Sequence, residues 1–254
     1  MEKYVSSLII SFFVYGFAGW IWESFICPLI TGHKIKNSGF LNGPIVPIYG
    51  VGALVVSLLF SPSESYLSIF IEGAFVACVI EYFTSWAMEA LYHRRWWDYD
   101  DKAFNVNGRV CLEGFLIFGL FSVIAVKFIQ PALLSMIMVH GETTLIALAI
   151  ILCAILLVDL VITITTLANL EKRIDEFVKD AEEYAQRVLD GFEQGKKSII
   201  EILETIKLTD SSAYQEFLKK KKFAEKRILK AFPALTNKKK KEGRGEEHEE
   251  VFWK

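Results

Sequence analysis

The chain has 254 residues, 53% hydrophobic, 14% aromatic and 23% charged, with a formal net charge of −2. A mean hydropathy of +0.35 excludes an ordinary soluble globule, and 16 Gly with 6 Pro exclude a collagen-like or low-complexity chain. Lys and Arg number 8 up to residue 170 and 20 after it, Asp and Glu 12 and 18, so a sparsely charged first part precedes a densely charged tail.

This pattern predicts an all-α polytopic membrane protein with about five transmembrane helices and a cytosolic helical C-terminal extension. The expected spans are 4–28, 44–60, 66–91, 110–130 and 143–168. The first has no charge from Val5 to Trp22 and lacks the small-residue cleavage site of a signal peptide. The second is short and interrupted by Pro44, Pro47, Gly50 and Gly52. The fifth carries Asp159 as its single ionised residue. Domain limits follow as 1–169 for the membrane part, 170–235 for amphipathic helices and 236–254 for a disordered charged end.

The basic loops orient the chain. Lys34, Lys36, Arg94, Arg95, Lys102, Arg109 and the tail fall on one side, against Lys3 and Lys127 on the other. The positive-inside rule therefore places the tail and loops 29–43 and 92–109 in the cytosol, with the N-terminus outside, in the cell membrane. Cys27, Cys78, Cys111 and Cys153 form no CxxC pair and read as buried thiols.

Ionisable groups within spans are costly, so they are the first functional candidates. They are Glu23, Glu72, Glu81, Glu89, Glu113 and Asp159. At about 1.5 Å per residue, Glu23 lies some 27 Å beyond Val5, near the cytosolic boundary. Glu89 is similarly low, Glu81 about two turns deeper, and Glu113 one turn above Arg109. Glu72 belongs to the outer part. Glu81, Ser85 and Glu89 recur at every fourth position and form one polar stripe. Such a stripe faces protein or water, with Arg109 and Arg94 or Arg95 as available counter-charges. It is either a structural ion-pair network or a ligand, ion or catalytic site.

The cytosolic loops add to the convergence. Segment 37–50 holds Gly39, Asn42, Gly43, Pro44, Pro47, Tyr49 and Gly50. It is either a plain turn into a helix with Pro44 in its first turn or irregular backbone at membrane depth. Segment 93–109 holds Trp96, Trp97, Asp98 and Tyr99. Its aromatics suit the interfacial belt. Asn107-Gly108 reads as a tight turn that delivers Arg109 to the fourth span. The candidate ligand or polar-site residues are thus Glu23, Asn42, Tyr49, Glu81, Glu89, Trp97, Asp98, Asn107, Arg109 and Glu113. His33 and His93 share this side, but no spacing specifies a metal, and no cofactor is implied. No phosphate-binding Gly-Lys-Ser/Thr loop, Gly-x-Ser-x-Gly or His-Glu-x-x-His occurs, so no catalytic residue is assigned. If ATP is used, a separate subunit binds it.

Five stretches in this order resemble a known family. They are Gly19-Trp20-Ile21-Trp22-Glu23; Gly39-Phe40-Leu41-Asn42-Gly43-Pro44 with Pro47-Ile48-Tyr49-Gly50; Glu81 to Glu89; Trp96-Trp97-Asp98-Tyr99; and Asn107-Gly108-Arg109. The family is the ABC-transporter type IV, or CmpB-like, membrane family of bacteria, to which vertebrate transmembrane protein 229 also belongs. The resemblance covers roughly residues 15–125 and implies a multi-spanning membrane protein. It brings no catalytic assignment.

In the tail, Leu170, Ile174, Phe177, Ala181, Tyr184 and Val188 alternate steps of four and three, a coiled-coil rhythm over 170–206 that suggests a homo-oligomer. Packing back on the membrane domain is the rival. A second helix is expected over 212–231. Lys219–Lys222 and Lys238–Lys241 suit anionic lipid headgroups or a solvated face and disordered end, and 20 basic against 18 acidic residues do not suit nucleic acid. The favoured function is a transporter or permease-like component with a polar site near the cytosolic face. The alternatives are a membrane-embedded enzyme acting on a lipid or lipid-linked substrate, and a membrane scaffold or regulator.

Overall fold

The computed structural model describes residues 1–32, 34–92 and 95–193. His33, His93, Arg94 and residues 194–254 lie outside them, and so do the expected 212–231 helix, the lysine runs and the charged end. The side chains of the coiled-coil pattern from Leu170 onward are outside them as well. Among the described residues the fold is all helical, with one isolated bridge between Val106 and Val110.

The described residues form five helices: α1 (Glu2–Thr31), α2 (Pro47–Leu59), α3 (Tyr66–Tyr92), α4 (Leu112–Ile137) and α5 (Glu142–Glu193). Four are long and apolar enough to cross a membrane, and α2 is a shorter apolar helix. The chain is a multi-span membrane protein. Its outward surface is correspondingly apolar, including Phe75, Phe83, Leu116, Leu120, Ile151 and Val158, the inverse of a soluble surface. Loops 32–46 and 93–111 gather at one end, called here the polar end. The N-terminus and segments 60–65 and 138–141 form the opposite end.

The shortest helix is the central one, since α2 packs against α1, α3 and α4. Small residues make that closeness feasible. Gly19 of α1 admits the Tyr49 ring, and Gly50 admits Phe12. Between α3 and α4, Gly73 faces Ser122 and Gly119 faces Phe70. α5 touches chiefly α1 and buries a narrow stripe that includes Leu145, Ala149, Thr163 and Leu167.

Prolines shape the helices in two ways. Pro47 opens α2, one turn later than the sequence reading placed the helix start, with Val46 extended before it. Pro28 and Pro131 instead sit inside helices. Each follows a π-helical turn, Trp22–Ile26 in α1 and Ala125–Ile129 in α4. Proline lacks an N–H and crowds the carbonyl four residues back, and the wider turn accommodates both. α4 therefore runs through Pro131 to Ile137, past the expected end at 130. α5 likewise continues without a break at 170, because no Gly or Pro interrupts residues 142–190. Its 52 residues reach about 78 Å at 1.5 Å each, far beyond a hydrocarbon core of about 30 Å.

Candidate functional site

The expected site residues separate into four groupings at the polar end. The first is interior. Glu23 projects from the π-turn of α1 and accepts a 2.6 Å hydrogen bond from the Tyr49 hydroxyl, in the first turn of α2. Glu81 stands in α3, eleven residues before its end, or about 16 Å along the axis. It is 7% exposed. The Tyr99 hydroxyl lies 3.4 Å from Oε1, while among the described residues no donor reaches Oε2. Burial, then the charges of Glu81 and Glu23, push the Tyr99 phenol well above its ordinary value, so it stays a donor. Two acid–phenol pairs thus meet between α1, α2, α3 and the 95–111 loop, and among the described residues no cation stands within ion-pair distance of Glu23 or Glu81.

The second grouping is the ion-pair rim, which absorbs the available counter-charges. Arg109 Nη2 lies 2.7 Å from Glu89 Oε2, and Arg95 Nε lies 3.4 Å from the same oxygen. Arg95 also pairs with Asp98 at 3.1 Å and Asp100 at 3.5 Å. Burial works against the Arg95 charge, but Asp98, Glu89 and Asp100 together hold its guanidinium above the ordinary value. Arg109 Nη1 reaches the Ser85 hydroxyl at 3.3 Å, and its guanidinium lies over the Tyr82 ring. Of the predicted stripe, Glu81 and Ser85 are buried and Glu89 is half-buried. The stripe faces protein.

The loop that delivers Arg109 is built by its turn. Asn107 and Gly108 have φ of 54° and 64°. Val106 N–H donates to Val110 O, and Arg109 N–H donates to Val106 O. Two successive positive φ values make this the hairpin turn for which Asn-Gly is the favoured pair. A Cβ at Gly108 would run into Asp98, Asp100 and Arg95. The Asn107 amide donates to the Tyr82 hydroxyl at 2.9 Å, and the Trp97 indole donates to Arg109 O at 3.2 Å. Trp96 is buried, Trp97 half-buried and Tyr99 half-buried. Trp97 and Tyr99 direct their polar atoms to Arg109 O and Glu81, and the Trp96 ring packs on protein. Trp96 packs in one cluster with Leu167, Phe40 and Tyr92.

The third grouping is an anchor. Asp159 accepts from the backbone N–H groups of Asn42 (3.0 Å) and Gly43 (2.7 Å), and from the Asn42 amide (3.0 Å). Val46 N–H donates to Gly16 O at 2.9 Å. These bonds answer how irregular backbone survives here, since it is buried in protein and satisfied by it. The fourth grouping is peripheral. Glu113 pairs with Lys102 at 3.1 Å on the exposed rim, and that bond and charge hold the Lys102 ammonium above its ordinary value. Glu72 is exposed and accepts from Ser68.

Among the described residues no group of three or more His, Cys, Asp or Glu could hold a metal ion. The four cysteines are free thiols. A groove of about 340 Å³ lies outside the acid cluster, on α3 and α4, lined by Phe75, Val79, Phe83, Phe104 and Phe115. Its lining is almost wholly apolar.

The sequence reading overlooked Tyr99 as a polar group and missed Tyr15, Gln130 and Ser11. Tyr15 donates to the Gln130 side chain at 2.8 Å inside the bundle. Pro28 and Pro131, in or next to apolar runs, were the available signal, because each fixes a π-turn beside a polar residue.

A family described as "Putative ABC-transporter type IV", the CmpB type, matches residues 10–164. The chain belongs to this family. The match takes in α1 to α4 and most of the apolar part of α5, and so every residue of the four groupings. No curated protein and no solved structure matches the chain.

Proposed function

We propose that this CmpB-type protein is a transporter or permease-like membrane component whose site is the Glu23–Tyr49 and Glu81–Tyr99 cluster. One observation carries the reading: Glu81 is buried in a spanning helix with one carboxylate oxygen that no donor among the described residues meets. An unmet acceptor of that kind is costly in a membrane and is retained where it serves a ligand. Carboxylate and phenol oxygens can coordinate a cation, and the carboxylate can take a proton. The loop charges orient this end to the cytosol, with the N-terminus outside and α5 extending into the cytosol. Five helices are few for a complete permease. The reading therefore includes assembly, either of copies through α5 or with a separate subunit that binds ATP.

The enzyme reading needs an anion clamp at Arg109, and Arg109 is already engaged by Glu89 at 2.7 Å. The apolar groove beside Tyr82 is its one supporting feature, since its lining suits an acyl chain. The test is reconstitution of the full chain in proteoliposomes, with currents recorded on rapid jumps of Na⁺, K⁺ or pH. Wild-type vesicles should respond to one of these, and Glu81→Gln should reduce the response at least tenfold. Glu81→Gln should also raise the unfolding midpoint, because the amide removes a buried carboxylate charge that no cation among the described residues pairs. Wild-type currents equal to those of empty vesicles for all three would remove the reading.

A further inference from the structure

A polar track leaves the acid cluster and runs along α1 toward the opposite end. Ser7, Ser11, Tyr15, Gly19 and Glu23 recur at every fourth position, a row that winds about 40° per step and so sweeps roughly 160° around the helix from Ser7 to Glu23. Ser7 and Ser11 are 0% exposed and Tyr15 is 5% exposed. From Ser7 to Glu23 the helix rises about 24 Å, most of a hydrocarbon core of about 30 Å. Few faces of a spanning helix would carry hydroxyls over that length if they met only apolar neighbours.

The groups that meet the middle of this row are polar too. Tyr15 donates to Gln130, which is 7% exposed and follows the π-turn of α4. The Ser57 hydroxyl of α2 lies beside the Tyr15 phenol, and among the described residues neither Ser57 Oγ nor Ser11 Oγ completes a hydrogen bond. Helical serines ordinarily satisfy themselves on a carbonyl one turn back, as Ser7 does on Tyr4 O at 2.6 Å. Ser11 does not. Side chains lean toward the helix N-terminus, so the Tyr15 phenol lies over the turn that holds Ser11. Two unmet hydroxyls beside a phenol–amide pair supply the several polar partners that a buried water requires.

Tyr49 joins track to cluster. Its hydroxyl belongs to Glu23, and its ring lies against Gly19, filling the step between Glu23 and Tyr15. We propose that α1, α2 and α4 enclose a hydrated proton path from the Glu23–Tyr49 pair, past Tyr15 and Gln130, to Ser11 and Ser7 at the opposite end. Each hydroxyl or water takes one proton and releases another, so one proton crosses per passage and each group returns by reorienting. The path rests on the site reading above, because the acid cluster is its source.

The test uses the full chain with its four cysteines replaced by alanine, carrying Ser11→Cys, Ser57→Cys or, on the lipid-facing side of α1, Val14→Cys. Silver ion, close to water in size, is applied to intact vesicles, and blocked thiols are counted afterwards by mass spectrometry. Ser11→Cys and Ser57→Cys should be blocked at least tenfold faster than Val14→Cys. Equal rates would show a dry seam and overturn the path, whatever the Na⁺ or K⁺ response of the wild type. In parallel, vesicles with a trapped pH dye and an imposed K⁺ diffusion potential report proton flux. Tyr15→Phe, which keeps the ring, should lower that flux at least tenfold. Flux unchanged by Tyr15→Phe, or wild-type flux no faster than empty vesicles, would overturn conduction even where silver enters.

Discussion

The Asp159 carboxylate accepts the backbone N–H of Gly43 at 2.7 Å, across 116 residues of sequence. The one acid in the most apolar span is thereby a fastener for the loop that precedes α2. Asp159→Ala would leave the N–H groups of Asn42 and Gly43 without acceptors at about 1–3 kcal/mol each. The expected outcome is a lowered unfolding midpoint in detergent and faster proteolysis within residues 34–46. Asp159→Asn, which keeps one acceptor oxygen, should lose about half as much. If Asp159→Ala unfolds like the wild type, the anchoring role is wrong.

Glu89 and Arg109 are 15% and 12% exposed at 2.7 Å. Breaking a buried pair from one side strands the other charge, at about 3–5 kcal/mol. Glu89→Gln should be strongly destabilising, Arg109→Gln less so because Arg95 still meets Glu89, and the double variant less than the sum of the two. The cycle is read from unfolding midpoints of the four proteins. A double variant as unstable as the sum of the singles would mean that the pair is not coupled. Arg95 limits the recovery, since it loses a contact to Glu89 but retains Asp98 and Asp100.

Much of this site could be read from residue types alone. A carboxylate in an apolar run is conspicuous, so Glu23, Glu81, Glu89 and Asp159 stood out at once. Asn107-Gly108 announced its turn because only a few residues accept two positive φ values. Partner choice was not legible. Two guanidinium groups converge on Glu89 while Glu81 receives only a phenol, and that division depends on where the 93–111 loop folds back. The neutral track stayed hidden for another reason. Ser and Tyr pass as tolerable in an apolar helix, and Gln130 sat at the expected end of a span. Only the continuation of α4 through Pro131 places it inside the bundle.

Tyr99 gives a pH signature. Its phenol is raised far above the ordinary value of about 10 by burial and by Glu81 and Glu23. Below about pH 10 the folded and unfolded chains both hold this proton, so the group adds no slope. Above it the unfolded chain releases the proton that the folded chain keeps, and stability falls as pH rises. Unfolding midpoints of wild type and Tyr99→Phe should therefore differ by a constant amount up to about pH 10 and converge beyond it. A constant difference through about pH 11 would contradict a buried, protonated Tyr99.

Gly19 sets the distance between α1 and α2. A Cβ at this position would run into the Tyr49 ring, the same ring whose hydroxyl reaches Glu23. Gly19→Val should push α2 outward and break the Tyr49–Glu23 bond, at about 1–3 kcal/mol of overpacking. The clash is with the ring, not the hydroxyl. Tyr49→Phe should therefore rescue nothing, while Tyr49→Ala, which removes the ring but keeps a Cβ that also crowds this position, should lower the cost of Gly19→Val only in part. Unfolding midpoints across these combinations measure the coupling. Additive effects of Gly19→Val and Tyr49→Ala would mean that the helices do not meet at this contact.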